Sequence, residues 1–502
     1  MPTATVPKDW GVTNMLVSRW AILAAIAACV CAGKVSAQST APAAANQVSF
    51  DYYYSEASAP YGVQAPVAQA PAAAAGCQTS CASDCNTGCN SCNSCCDNCC
   101  GWGWPCGGLL ECLGEPCRLW EPCCECDTFK AGGWLAASYT YNPYQPTDNF
   151  NGPLTWTDRA NEFQMNELYF FAGRAADNGG CGIDVGWRTD MLYGTNYRWC
   201  TSSGFESNWE TNQEFYGVAV PQLYGEVAYN DLTVKVGRFI SPVGYYTVGT
   251  ANNFFAVVPY TYQYGEPFTH TGALGSYKYS DSLTLGGGVT YGWDNSDNFQ
   301  NPHAGGLATM TYAIDDCRSL AYVGVFGVEP TFNAADAFSN RYLQTLVYTR
   351  KYSDDVQFVF QSDYGVQDDM FVDGDDAKWY GVNTYLYWNM TCRCQWGLNG
   401  EWFRDQGGSR VGQVLPSNGS PNARGFDQGR GPSTAGGPGF DGSFYRMTFG
   451  PKYYFTPNVY GRTAVVADYY SGARDTDTQE LPFDDGLNRN QEVIVFDLIA
   501  TF

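Results

Sequence analysis

The residues best equipped for chemistry are cysteines. Fifteen of the chain's 22 lie between Cys77 and Cys126, and Cys92/Cys95 and Cys96/Cys99 repeat the CxxC spacing that suits tetrahedral thiolate metal sites. The block has almost no aliphatic residues, so it needs cross-links to hold any shape, and outside the cytosol such thiols oxidise in preference to binding metal. Disulfides are the expected state and no metal is called for. Cys77, Cys81, Cys85 and Cys89 are candidate partners, as are Cys181, Cys317, Cys392 and Cys394 further along. Without Cys29 and Cys31 the chain keeps 20 cysteines, an even number whose connectivity stays undetermined. Base chemistry is poorly provided for. His270 and His303 are the only imidazoles, and no nucleophile motif accompanies either, so neither an enzyme nor a cofactor is expected. The acidic stretches "QDDMFVDGDDAK" and "RDTDTQELPFDDG" contain Ca²⁺-ligand types, but "DGDD" alone is a weak signal and they are read as solvated charge.

The address of these residues follows from the N-terminus. Lys8 and Arg19 precede the apolar run "WAILAAIAACVCAG", and "KVSA" offers small residues for cleavage after Ala37. The run is too short for a membrane-spanning helix, which needs about 20 apolar residues. Residues 1–37 therefore read as a secretory signal, with a lipobox-like "IAAC" at Cys29 as a variant. Residues 38–76, rich in Ala and Pro, read as a linker, and 77–127 as the Cys-rich periplasmic segment. The formal net charge is −23, and loss of three basic residues and one acidic residue with the signal takes it to −25. Nucleic acid is excluded as a partner on that charge.

From Ala131 onward the chain alternates. In "GIDVGWRTDM", Ile183, Val185, Trp187 and Met191 oppose Asp184, Arg188 and Asp190; in "CQWGLNGEWF", Trp396, Leu398 and Trp402 oppose Gln395, Asn399 and Glu401. In "SLTLGGGVTYGW", Leu283, Leu285, Val289, Tyr291 and Trp293 share one face. Sixteen such segments are predicted near 131–141, 162–174, 181–193, 219–229, 232–239, 271–279, 282–293, 303–314, 318–328, 339–351, 356–364, 377–389, 393–405, 442–455, 458–470 and 490–502. Short connections such as "ND", "SD" and "TP" take strict turns with long ones. An even number of apolar-out, polar-in strands with tight turns at one end is the pattern of an outer-membrane barrel. The expected fold is all-β: a transmembrane antiparallel β-barrel of about 16 strands (14–18) over 131–502, preceded by the Cys-rich segment. A soluble sandwich would also alternate, but its outward face would be polar. Closure pairs the last strand with the first, leaving no edge in lipid. Phe496, Leu498 and the terminal Phe502 then form an apolar-facing ending of the kind that barrel-insertion machinery reads.

"FQMNELYFFAGR", "GGCGIDVGWRTDMLYGTN", "VKVGRFISPVGYYTVGTANNFF", "YQYGEPFTHTGALGSYKYSDSLTLGGGVTYGWDN" and the final Phe resemble the beta-barrel porin-2, OmpL-like, family over roughly 131–502. The resemblance implies an outer-membrane channel. It carries over no catalytic residue and does not reach the Cys-rich block.

Parity places Asp184, Arg188, Asp190, Glu226, Lys235, Asp363, Glu401, Arg446, Lys452, Arg462, Asp468 and Asp497 on the lumen side, where they would set selectivity. The stretch from Ser241 to His270 is too long and too apolar to hang in water, so it either folds into the lumen or caps the rim. Asn252, Asn253, Phe254, Phe255, Tyr260, Glu266 and His270 are its candidate constriction residues. The expected function is a passive, cation-preferring porin for small hydrophilic solutes, embedded in outer-membrane lipid and compatible with a homo-oligomer. The rival reading is a closed structural barrel tethered to the envelope through its cysteines.

Overall fold

A strand in hydrocarbon must satisfy every backbone N–H and C=O within a closed sheet, because lipid accepts no hydrogen bonds. The computed structural model meets that demand. It describes residues 113, 116–120, 129–206, 215–297, 301–331, 338–412, 439–473 and 481–502. The segments expected as an export signal and a linker, and most of the one expected as a Cys-rich segment, with Cys77, Cys81, Cys85 and Cys89, lie outside the described residues. Sixteen strands follow: β1 (Phe129–Tyr141), β2 (Phe163–Arg174), β3 (Ile183–Gly194), β4 (Gly217–Tyr229), β5 (Leu232–Ile240), β6 (Thr269–Lys278), β7 (Leu283–Thr290), β8 (Gly305–Asp315), β9 (Arg318–Pro330), β10 (Phe338–Lys351), β11 (Val356–Gln367), β12 (Ala377–Asn389), β13 (Cys394–Gln406), β14 (Gly442–Tyr454), β15 (Val459–Gly472) and β16 (Asn490–Thr501). Each pairs antiparallel with its sequence neighbours, and β16 returns to β1 in a register running from Trp134↔Thr501 to Tyr141↔Ile494. Gly133 and Phe502 exchange both backbone hydrogen bonds at 3.0 Å. Phe502 is thus a seam residue, bonded across the closure to Gly133.

The connections alternate as the sequence implies. Seven short ones, from 175–182 to 455–458, share one rim, and the long ones share the other. One long connection contains a single helical turn, α1 (Tyr197–Cys200). Among the described residues no helix is long and apolar enough to cross a membrane.

The outer face is apolar. On β3, Ile183 is 71% and Val185 57% exposed, whereas Arg188 and Asp190 are 6% and 2%. Met447 and Leu498 stand out in the same way on β14 and β16. A Lys or Arg on such a face costs about 2–4 kcal/mol at the bilayer midplane, and the outward-facing Arg350 of β10 and Arg404 of β13 lie near their strand ends.

Two expectations about faces need correction. β7 ends at Thr290, short of the predicted 293, because Gly292 takes φ +102 and turns the chain. Trp293 consequently points inward, half-buried, with the Arg341 and Arg410 guanidinium carbons 4.8 and 5.2 Å from its ring. The inner face is also less polar than simple alternation suggests. Val493, Val495 and Ile499 on β16, Phe444 on β14 and Phe403 on β13 all face inward and are fully buried. They are covered because long connections enter the barrel and pack on them.

Candidate functional site

Residues 241–268, between β5 and β6, form a loop buried inside the barrel. Its apolar residues, Phe254, Phe255, Val257, Val258, Tyr260, Tyr262 and Phe268, could not sit in water and find their partners on the inner wall. Backbone groups buried along with them need hydrogen-bond partners, and inward-facing side chains supply these. Glu401 on β13 accepts from the N–H groups of Tyr260 (2.8 Å) and Thr261 (2.6 Å). Arg446 on β14 donates to the Val258 carbonyl at 2.6 Å. Arg462 on β15 donates to the carbonyls of Thr250 (2.9 Å) and Asn253 (2.7 Å). Trp379 Nε1 on β12 donates to Gly265 O at 3.0 Å, and Glu167 on β2 accepts from Thr250 N at 3.0 Å. The loop is therefore pinned to one side of the wall, the arc from β11 through β16 to β2.

The two ends of the loop are clasped together. Ser241 N donates to Phe268 O at 2.9 Å, and Ser241 Oγ lies 3.1 Å from His270 Nε2. Gly244 adopts φ +79, and a Cβ there would lie 2.1 Å from the Glu266 carboxylate, so only glycine fits. Tyr245 and Tyr246 pack on Tyr385, with ring centroids 5.0 and 5.6 Å apart. Burial holds the Tyr246 and Tyr260 phenols well above their usual range, so both remain neutral. His270, expected in the loop, is instead the second residue of β6, where the ladder with Phe239 fixes it. The Ser241–His270 contact is a buried structural clasp: Ser241 Oγ also accepts from Val243 N at 3.3 Å, and His270 Nδ1 faces Gly292 O at 3.1 Å.

The twelve charged residues assigned by parity all lie on the inner face, and cross-strand register joins many of them. Glu401 stands opposite Arg446, which stands opposite Asp468, giving a row of alternating charge across β13–β15. Arg446 Nε donates to Asp468 Oδ1 at 2.7 Å, and Arg462 Nε to Asp497 Oδ1 at 2.9 Å. Arg188 is paired with Asp190 on β3. Asp184 binds Arg174 at 3.0 Å near the short-turn rim, and Glu226 accepts from Ala176 N at 2.9 Å. Lys235 lies 4.9 Å from the Tyr224 ring, and Lys452 lies 4.3 Å from the Tyr460 ring. Asp363 accepts from Thr345 Oγ1 (2.7 Å) and Gln361 Nε2 (2.9 Å). Most of these charges hold the wall and its loop together.

Part of the site went unrecognised in the sequence. Residues 142–162, expected as an outer connection, are largely buried: Trp156 packs 5.2 Å from Phe268, and Asp158 receives Arg198 Nη1 of α1 at 2.9 Å. The apolar cluster "PLTW" within a long connection was the available signal, the same kind that marked the loop after Ser241. In the last acidic connection, Asp485 accepts from Thr147 N (2.7 Å) and Asp148 N (3.1 Å). One of the carboxylates considered for Ca²⁺ is thus spent on tying two connections together. Burial opposes its ionisation, but those donors outweigh it and hold the carboxyl below its ordinary range.

The cysteines gather at the short-turn rim: Cys181 in the β2–β3 turn, Cys317 in β8–β9, Cys392 in β12–β13, and Cys394 opening β13. Cys317 carries a thiol, which corrects its assignment as a disulfide sulfur. Cys317 projects into solvent from a two-residue turn. At the same rim Asn458 grips the segment preceding the barrel, accepting from Cys117 N and donating to Cys117 O, both at 2.7 Å. Phe502 packs 5.5 Å from Phe170, while Phe496 and Leu498 face outward.

The family model described as "Putative beta-barrel porin-2, OmpL-like" matches residues 128–502. The chain belongs to this family. It is an outer-membrane β-barrel of the porin type, and the match begins within one residue of β1. Among solved structures it is similar to the outer membrane channel DcaP of Acinetobacter baumannii, at 11% identity, covering 74% of this chain and 97% of that one with a TM-score of 0.46. The anion-selective porin from Comamonas acidovorans is similar at 8% identity, covering 74% and 99%, with a TM-score of 0.45. Pseudomonas putida OprB is similar at 10% identity, covering 75% and 94%, with a TM-score of 0.44. No curated protein matches the chain.

Proposed function

We propose that the barrel is a passive diffusion channel for small hydrophilic solutes, with the loop at 241–268 setting its width. The observation that carries this reading is the loop's one-sidedness. The arc from β11 to β16 is covered, whereas inward-facing Thr233, Ser276 and Thr284 on β5–β7 keep contact with solvent. A passage would run along this small, hydroxyl-bearing side, between the wall and the loop. A preference for cations fits the carboxylates left over once the Arg–Asp pairs are formed, namely Glu226, Glu266, Asp363 and Glu401, because a low-dielectric wall focuses their field. The test is a planar bilayer containing the purified chain under a KCl gradient. Steady current steps with a reversal potential of cation sign are expected. An anion-sign potential removes the preference, and silence removes the channel.

The rival tether reading rests on a separate observation, the grip of Asn458 on Cys117 beneath a barrel whose core also packs against Leu113. We infer that Cys181 and Cys392 bond to cysteines of the segment 77–126 and fasten it to the short-turn rim; neither carries a titratable thiol. Peptide mapping without reductant is expected to recover both in cross-linked peptides. Recovery of both as alkylated thiols overturns the inference. A barrel fastened in this way can still conduct, so the bilayer current decides whether the segment closes it.

A further inference from the structure

Two arginines meet on the outer surface of the barrel. Arg318 opens β9 and Arg350 is the penultimate residue of β10, and the ladder pairs them directly, so both side chains leave the same face. That face is the outer one, because the adjoining pair, Ser319 and Thr349, points inward and is buried. Residues directly opposite each other in an antiparallel pair have Cβ atoms about 5 Å apart, and like charges at that spacing repel. The sequence nonetheless sets two guanidinium groups there, both exposed.

Arg318 is partly compensated: its Nε and Nη2 both bind Asp315 Oδ2, at 2.7 and 2.5 Å. Arg350 is not. Its guanidinium makes no ion pair or hydrogen bond among the described residues and lies over the Tyr352 ring, 4.4 Å from the centroid. The outward-facing Arg174, Lys378 and Arg404 all have carboxylate partners, in Asp184, Asp376 and Asp441. The level of the arginine pair in the membrane follows from its neighbours. The next outward row is Leu320, Tyr348 and Phe360, and Phe358 stands beside Arg350 on β11. On the other side come Tyr352, 58% exposed, and two short turns, tied together where Lys351 N donates to Cys317 O at 2.8 Å. The pair thus occupies the boundary between acyl chains and water, the layer in which lipid phosphates lie. The other carboxylates nearby, Asp316, Asp354 and Asp355, belong to the turns, further from the apolar row.

We propose that Arg318 and Arg350 form a binding site for the phosphate of an anionic glycerophospholipid, whose acyl chains run along Leu320, Tyr348 and Phe358. The phosphodiester oxygens accept from the Arg350 donors and from Arg318 Nη1, which Asp315 leaves open, and their charge removes the repulsion across the ladder. Tyr352 stacks on the Arg350 guanidinium and restricts its orientation, so less freedom is lost on binding. A zwitterionic headgroup brings its own ammonium to two cations and competes poorly. Short turns face the periplasm in barrels of this kind, so the lipid belongs to the inner leaflet.

The test is native mass spectrometry of the full chain in a neutral detergent, with phosphatidylglycerol and phosphatidylcholine offered in equal amounts. The wild type is expected to retain phosphatidylglycerol about tenfold better, a comparison that needs no variant. Arg350→Gln and Arg318→Gln should each weaken that retention about fivefold, and the double variant should show no preference. Arg404→Gln removes an outward arginine at the opposite rim, already paired with Asp441, and should keep the wild-type preference. Equal retention of the two lipids by the wild type overturns the site, as does an undiminished preference in Arg350→Gln. An equal loss in Arg404→Gln would reveal attraction spread over the whole surface and overturns it as well. Displacement of phosphatidylglycerol by an equal concentration of inorganic phosphate would assign the pair to the free anion and overturn the lipid assignment.

Discussion

Arg462→Leu is expected to lower the unfolding free energy by about 3–5 kcal/mol, the cost of leaving one member of a buried ion pair uncompensated. Arg462 donates through Nε to Asp497 Oδ1 at 2.9 Å and through Nη1 to two loop carbonyls, Thr250 O and Asn253 O. Both members of the ion pair are more than nine-tenths buried. Leucine removes the cation, strands the Asp497 carboxylate and leaves both carbonyls without that donor, so wall and loop are weakened together. The measurement is the temperature at which the detergent-solubilised barrel loses its compact mobility on a gel, supported by urea unfolding. The double variant Arg462→Leu/Asp497→Leu should recover much of the loss, because apolar residues replace a buried ion pair at little net cost. A single variant as stable as wild type would show that the loop does not depend on this arginine.

Replacing residues 247–262 with a short Gly/Ser linker is expected to raise single-channel conductance about fivefold, because a 16-strand lumen is wide enough for a water-filled channel once nothing is folded into it. The ladder that holds the barrel closed is untouched, since those residues contribute no strand. Arg446 and Arg462 keep their pairings with Asp468 and Asp497, so the wall does not acquire unpaired arginines. Glu401 loses its three loop donors, Tyr260 N, Thr261 N and Thr261 Oγ1, and faces water, which should strengthen cation preference. Conductance equal to that of the intact chain would mean that the loop does not set the width of the passage. These two predictions separate the loop's roles as structural ballast and as constriction.

The loop's entry into the barrel could be anticipated from "NNFFAVVPY", whose apolar residues have no place in water. Its side of the barrel could not. Alternation places Glu401, Arg446 and Arg462 on the inner face but says nothing of which loop atom each will meet. Those partners are 140 to 212 positions away along the chain, as in Glu401 with Thr261 and Arg462 with Thr250. The same gap bears on the expected cation preference. A count of carboxylates ignores that Asp468 and Asp497 face arginines across a strand pair, at a register set by turn lengths on both sides. Trp293 was assigned to the wrong face for a local reason, the positive φ of Gly292, which breaks the period immediately before the tryptophan.

Strand number, strand boundaries to within about three residues and the closing partnership of first and last strands were all legible in the linear chain. Lipid imposes a period-2 pattern and a closed ladder, and both leave their mark on neighbouring residues. Which wall residues hold the filling was settled by folding alone. The inner wall has no such external solvent to answer to, so its apolar residues, ion pairs and loop anchors acquire meaning only when distant segments are brought within bonding distance.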